Sequence, residues 1–225
     1  RVRGKPPALK DGLKERAQIR KLRPWFLVLA MLTVWIVGVL GVTSGCGMVM
    51  YLHEGAMPDG ESALVSAKES PNAVQALHEY AVVVQMRAIA ECKQVTLPVY
   101  IARVLLSTTL VAASAMVLAG RRNALSFGLQ ALGVNVLFAV VAYALTTDVR
   151  AIWIDAVVAA SKELDLPAEE GQFYRSRAFW YWFSRGELIV FQVGLLLAAA
   201  FALSLPKSRL YLQAMAEHER ESNED

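Results

Sequence analysis

Four continuous apolar runs divide the chain: Trp25–Leu52, Leu97–Ala119, Leu125–Thr147 and Glu187–Leu205. Together they contain only two charges, Arg103 and Glu187. A hydrocarbon core of ~30 Å takes roughly 20 apolar residues at about 1.5 Å each, so every run is long enough to cross it. The runs are unbroken rather than alternating, which excludes a membrane barrel. In lipid the backbone must satisfy its own hydrogen bonds, so each run reads as a helix. The expected fold is an all-α integral membrane protein with four transmembrane helices, at 25–52, 97–119, 125–147 and 187–205.

The segments between the runs are helical by pattern. In the 53–96 loop, Glu54 to Gly60 is turn chemistry, and Ser70-Pro71 reads as a helix start. Val74, Leu77, Ala81, Val84 and Ala88 then repeat at 3-4-3-4 spacing, the seam of a packed helix pair. Cys92 and Val95 prolong that face, and Pro98 marks an expected kink into the second span. The third span is expected to run straight on, with Val149, Ile152, Ala156 and Ala160 on one face, until Leu166-Pro167. Residues 120–124 are too few for more than a tight turn, so the second and third spans are antiparallel neighbours. The pattern predicts one long helical hairpin from about Pro71 to Leu164, extended outside the membrane. The alternative is that these stretches fold back on the surface as short amphipathic helices.

Composition narrows the class. The chain is 56% hydrophobic and 19% charged, with mean hydropathy +0.39, against about 45–50% apolar and about a quarter charged for soluble domains. A soluble globular fold, a disordered chain and a disulfide-dense secreted domain are thereby excluded. Lys and Arg are concentrated in 1–24, in 120–124 and in 206–225, which places both termini in the cytoplasm and both long loops outside. Residues 1–24 hold nine basic against two acidic residues and read as a basic amphipathic segment on anionic lipid, or simply as the topology signal. The 206–225 tail reads as a short helix from Lys207 that frays into a solvated acidic end. The net charge of +3 comes from membrane-flanking residues, so no nucleic acid is implied. The first run, at 28 residues, is too long for a signal-peptide core, although Thr43-Ser44-Gly45-Cys46 has the outline of a lipoprotein box. Spans rich in Ala, Val and Leu suggest a bacterial inner membrane.

Groups that carry chemistry are sparse. His53, His78 and His218 all lie outside the runs, which excludes a haem held by intramembrane histidines. CxxC, glycine-rich phosphate loops, HExxH and GxSxG do not occur. His53-Glu54, His78-Glu79 and Cys92 have no metal-ligand spacing, and solvated histidines are the simpler reading. No catalytic residue, metal or cofactor is expected. Cys46 and Cys92 lie at similar heights on the oxidising side, so either a structural disulfide joins them or they are free buried thiols. Arg103 and Glu187 either pair within the membrane or separately reach for its surface.

Gln130, Asn135 and Gln192 are placed to hydrogen-bond between helices, and Gly41 and Gly45 form a GxxxG packing face with Gly38 beside them. The aromatic run Phe173–Phe183 precedes the fourth span, and Phe179, Trp180 and Trp182 read as interfacial contacts with lipid or a partner subunit.

Three functional classes fit. A non-catalytic subunit that scaffolds or stabilises a larger membrane assembly accounts for the polar glue, the small-residue face and the projecting hairpin. Its partners would be the lipid bilayer and other membrane subunits, a hetero-oligomer in preference to a homo-oligomer. A homo-oligomeric channel would be lined by Ser107, Thr108, Ser114 and Asn135, but no span carries a mid-membrane Asp, Glu or His. A sensor whose external helices bind a ligand or partner is the third. The four-span plan with two external loops resembles that of tetraspanins and claudins, whose cysteine motifs this chain lacks.

Overall fold

The computed structural model describes residues 23–55, 57–121 and 123–224. Of the basic segment expected over 1–24, residues 1–22 lie outside them. Among the described residues the chain is helical, with no strand. In order come α1 (Trp25–Glu54), α2 (Gly60–Glu69), α3 (Ala73–Glu91), α4 (Lys93–Ala119), α5 (Ala124–Leu145), α6 (Thr147–Glu163), α7 (Ala168–Tyr174), α8 (Arg177–Glu187), a π-helical stretch (Leu188–Gly194), α9 (Leu195–Ser204) and α10 (Pro206–Glu224). Four helical stretches are long and apolar enough to cross a membrane: Trp25–Glu54, Lys93–Ala119, Ala124–Leu145 and Arg177–Ser204. Internal contacts divide the chain into two compact units. One takes the chain up to Val42, Leu105–Leu137 and the chain from Gly194 onward; the other takes Thr43–Val104 and Phe138–Val193.

In the second of these units α3 packs along α6, and α2 packs on α3. Leu77, Ala81, Val84 and Ala88 of α3 are buried together with Trp153, Ile154, Val157 and Ala160 of α6. The α6 face is therefore turned from the expected stripe. Ile152 is exposed, and the larger Trp153 takes the inward position, its indole Nε1 donating to the Ala81 carbonyl at 2.9 Å. That bond ties the two helices at one register, because the indole N–H needs a partner once buried. α2 was not anticipated. Asp59 caps it, its carboxylate accepting from the Glu61 amide at 3.0 Å, and these bonds hold the carboxyl below its ordinary range. α3 begins at Ala73 behind an Asn72 cap rather than at Pro71, and Ser70 ends α2 instead.

In the other unit Leu27, Met31 and Val34 of α1, Leu110 and Val117 of α4, Leu132 of α5 and Leu203 of α9 form the core. α4 ends in a Schellman motif: the Arg121 amide reaches the Met116 carbonyl and the Gly120 amide the Val117 carbonyl. Gly120 has φ +67, and a side chain there would also collide with Met215 of α10. The helix expected from Lys207 is α10, which starts at Pro206 and runs to Glu224. Ser208, Tyr211, Leu212 and Met215 recur at helical spacing and are buried.

Two expected continuities are broken. The α3–α4 interruption falls at Cys92, six residues before Pro98, which lies inside α4. The third span does not run straight on but breaks at Thr146, with φ −93 and ψ 24. A hydroxyl closes each break. Thr96, buried, donates to the carbonyl of Ile89 at 2.9 Å, seven residues back, and to that of Cys92 at 3.2 Å. Thr147 donates to the carbonyl of Ala144 at 2.7 Å, and Thr146 adds its hydroxyl at 2.8 Å to the Ala142 carbonyl that its own amide already reaches. At Pro206, which has no amide to offer the Ala202 carbonyl, buried Ser208 Oγ donates there instead at 2.7 Å.

Replacing Thr96 with Val leaves the Ile89 carbonyl without that donor in a buried site. Thr96→Val should destabilise the protein by about 1–3 kcal/mol, and Thr96→Ser should retain most of the stability. Reversible unfolding in detergent checks this; a Val variant as stable as wild type would contradict the role given to the hydroxyl.

Candidate functional site

α8 presents two unlike faces. Ser176 caps it by accepting from the Phe179 amide, and the bidentate pair of Arg177 with Asp155, at 3.2 Å for each bond, holds its first turn to α6. On the inner face Trp180 is 3% exposed, edge-on to Trp153 at 5.5 Å and to Phe179 at 5.4 Å, with its Nε1 donating to the Tyr174 carbonyl at 2.9 Å. Trp180 is thus a core residue and not an interfacial contact. Interior demand for a large ring beside Trp153 overrides the preference of tryptophan for headgroup depth. Phe179 is half-buried against Tyr174, Phe173 and Phe183. Trp182 is the outward member: it is 69% exposed, next to Phe183 at 57%, and the Arg185 guanidinium lies 5.8 Å from its ring centre. Phe173, 64% exposed, extends the apolar surface from α7.

The break at Thr146 holds an unusual cation. The Arg150 guanidinium lies 3.6 Å from the centre of the Tyr143 ring and donates to the hydroxyls of Thr146 and Thr147 at 2.9 and 3.1 Å. Its Nε is buried with no acceptor. Burial pushes the Arg150 pKa below its ordinary value, opposed by the two nearby tyrosines, Tyr143 and Tyr181. The arginine acts as a clip on the threonines that close the break. Sequence pattern had given no sign of it; Thr-Thr followed by Arg at three and four residues was the available signal.

The polar residues expected to join helices diverge. Asn135 is buried, and its Nδ2 donates to the Ala131 carbonyl of its own helix at 2.8 Å and across to α4 at Leu106 O, 3.2 Å, and Thr109 Oγ1, 3.4 Å. Gln130 is exposed, and Gln192 is half-buried within the π-helical stretch Leu188–Gly194. Such stretches widen a helix by one residue per turn. A side chain added at Gly41 would strike Ser107 of α4, and one at Gly38 would lie 3.0 Å from the Ser107 carbonyl and 2.9 Å from Val111 Cγ2. At Gly45 it would lie 2.7 Å from Val104 Cγ2. The glycine face is therefore closed within the chain, against α4, rather than open for a partner.

Arg103 is half-buried and Glu187 exposed, and no ion pair joins them among the described residues. The pair is not formed. Cys46 is exposed and Cys92 half-buried, both as free thiols. The disulfide is likewise absent. Burial, with Asp148 and Glu91 nearby, raises the Cys92 thiol above its ordinary value. His78 meets the Tyr174 ring edge-on at 5.7 Å, and no group of three His, Cys, Asp or Glu side chains converges among the described residues.

These features define a multi-pass, all-helical membrane protein. Comparison of the chain with protein-family models, with curated proteins and with solved structures found no match to any of them.

Two outcomes follow from the packing. Gly41→Ala should cost about 1–3 kcal/mol of stability by overpacking against Ser107, while Gly133→Ala, where nothing lies within 4 Å of the added carbon, should be neutral. Equal effects in detergent unfolding would contradict the close α1–α4 approach at that glycine. Under denaturing, non-reducing conditions both Cys46 and Cys92 should alkylate; a peptide in which they remain linked would contradict the free thiols.

Proposed function

We propose that this chain is a non-catalytic integral membrane subunit that scaffolds or stabilises a larger membrane assembly. In this reading both termini are cytoplasmic, and α2, α3, α6 and α7 form an external helical hairpin, as the Lys and Arg distribution favours. The composition of the spans favours a bacterial inner membrane. The observation that carries the reading is the face of α8. Trp182, Phe183 and Arg185 are displayed outward on a helix whose opposite face is locked by Trp180 into an aromatic core. Tryptophan and arginine on a rigid base are the residues that dominate binding energy at protein interfaces. Pre-organisation matters here, since side chains already ordered lose little entropy on docking.

Three polar groups of the spans, Asn135, Ser107 and Ser114, support the same reading, because they are engaged within the chain. Asn135 bonds to α4, Ser107 is buried beneath Gly41, and Ser114 is buried with its hydroxyl on the Val111 carbonyl. A pore would need them facing water. The partner would be another membrane protein with an aromatic or acidic contact surface near the headgroups.

Native mass spectrometry after gentle extraction from the source membrane tests the proposal. The expected result is a reproducible complex of fixed stoichiometry with different polypeptides, lost in a folded Trp182→Ala/Phe183→Ala variant. A closed homo-oligomer that conducts ions in liposomes would overturn it in favour of a channel, and a complex indifferent to the double substitution would remove α8 as the docking face.

A further inference from the structure

A second surface, in the unit that contains the first turns of α1 and the start of α10, has a chemistry of its own. An open groove of about 710 Å³ runs between the two, bordered by Arg23, Trp25, Phe26, Lys207, Leu210 and Tyr211. Its depth in the membrane follows from the sequence of elements. Trp25 opens one apolar helix, and Ser204 closes another, two residues before Pro206 starts α10. The groove therefore lies where two candidate spans end, at the level of lipid headgroups, where Trp, Arg and Lys are favoured.

Its charge is of one sign. Arg23 and Lys207 line it with no carboxylate, and no acidic residue occurs between Pro24 and His53 or between Leu188 and Ala216. Arg23 is also held in place: its Nε donates to the Tyr211 hydroxyl at 3.1 Å, and its guanidinium lies 5.7 Å from the centre of that buried ring. Anchoring through Nε orients the guanidinium fork, whose planar donors match a phosphate. Beside these cations the wall is apolar and uncovered, with Trp25 75% and Leu210 66% exposed. Cations at one end and an open apolar wall alongside match an amphiphile with an anionic head, not a free ion.

We propose that this groove is a binding site for an anionic phospholipid. Arg23 and Lys207 hold the phosphate, and Trp25, Phe26 and Leu210 flank the first part of an acyl chain. The site is independent of the subunit reading and would serve the protein whatever it docks to. It also differs from diffuse attraction of a basic segment to an anionic surface, because it depends on two particular cations rather than on net charge.

The test is a lipid titration of the purified full chain followed by native mass spectrometry. Phosphatidylglycerol and phosphatidylcholine with identical chains are the probes. Phosphatidylglycerol should bind about 25-fold more tightly, and Lys207→Gln should remove about fivefold of that preference, the usual contribution of one cation near anionic lipid. Arg209→Gln removes the same charge two residues further on, outside the groove, and should change nothing. Arg23→Gln should act like Lys207→Gln. Equal binding of the two lipids overturns the proposal, as does an Arg209→Gln loss equal to that of Lys207→Gln. Displacement of the lipid by equimolar glycerophosphoglycerol, which has the head without chains, would also overturn it, because the ligand would then be a phosphate and not a lipid.

Discussion

Every interruption of a helix frees backbone carbonyls, and in an apolar surrounding a freed carbonyl must find another donor. That constraint organises this protein. Among the described residues, the joints at Cys92, Thr146 and Pro206 each have a freed carbonyl met by a hydroxyl placed within a few residues of the break: Ile89 by Thr96, Ala144 by Thr147 and Ala202 by Ser208. Thr96 reaches back seven residues to Ile89, beyond the four-residue reach of ordinary serine and threonine back-bonding. Ser208 stands in for the amide that Pro206 lacks. Thr146 and Thr147 are themselves held by Arg150, whose charge lies over the Tyr143 ring. Without these donors the helix breaks would be the weak points of the fold. With them, the joints become fixed bends.

The two units then pack by different means. Around Gly38 and Gly41 the helices come close enough that a single added carbon would collide with α4, and contact of small residues does the work that hydrophobic exclusion cannot do in lipid. Around Trp153 and Trp180 the packing is by edge-on rings, each indole with a carbonyl to receive its proton. A large ring with a satisfied polar edge fixes both rotation and register, so α3, α6 and α8 are held at one alignment. This is why α8 can display Trp182 and Arg185 outward without losing its seat.

Much of the architecture was legible in sequence, because span length and hydropathy follow from the thickness of a bilayer. The four helices recovered by length and composition match the four apolar runs to within a few residues at most ends. The fourth is longer at its start, since the aromatic stretch before Glu187 continues the helix. What periodicity missed has a common cause: it weighs apolar positions and ignores hydroxyls. Pro98 carried the visible signal for a kink, yet the break falls at Cys92, where Thr96 supplies the replacement bond. Ile152 fitted an apolar stripe, yet Trp153 has more surface to bury and a proton to place on Ala81. Arg103 and Glu187 have opposite charge and lie near the same end of their spans in sequence, but neither property fixes the distance between them. Trp180 and Trp182, two residues apart on one helix, went to core and surface as a 200° rotation demands. The groove at Arg23 and Lys207 was out of reach, because 184 residues separate its two cations.

The claim that the joints are closed by their hydroxyls, and so are bends rather than hinges, is open to direct measurement. Hydrogen–deuterium exchange of the full chain in lipid nanodiscs reads the amides around Cys92, Thr146 and Pro206 one segment at a time. The account predicts that peptides spanning these joints exchange as slowly as those from the middle of α3 and α6. Exchange at the joints within seconds, with α3 and α6 still protected, would contradict it and make the breaks points of motion instead.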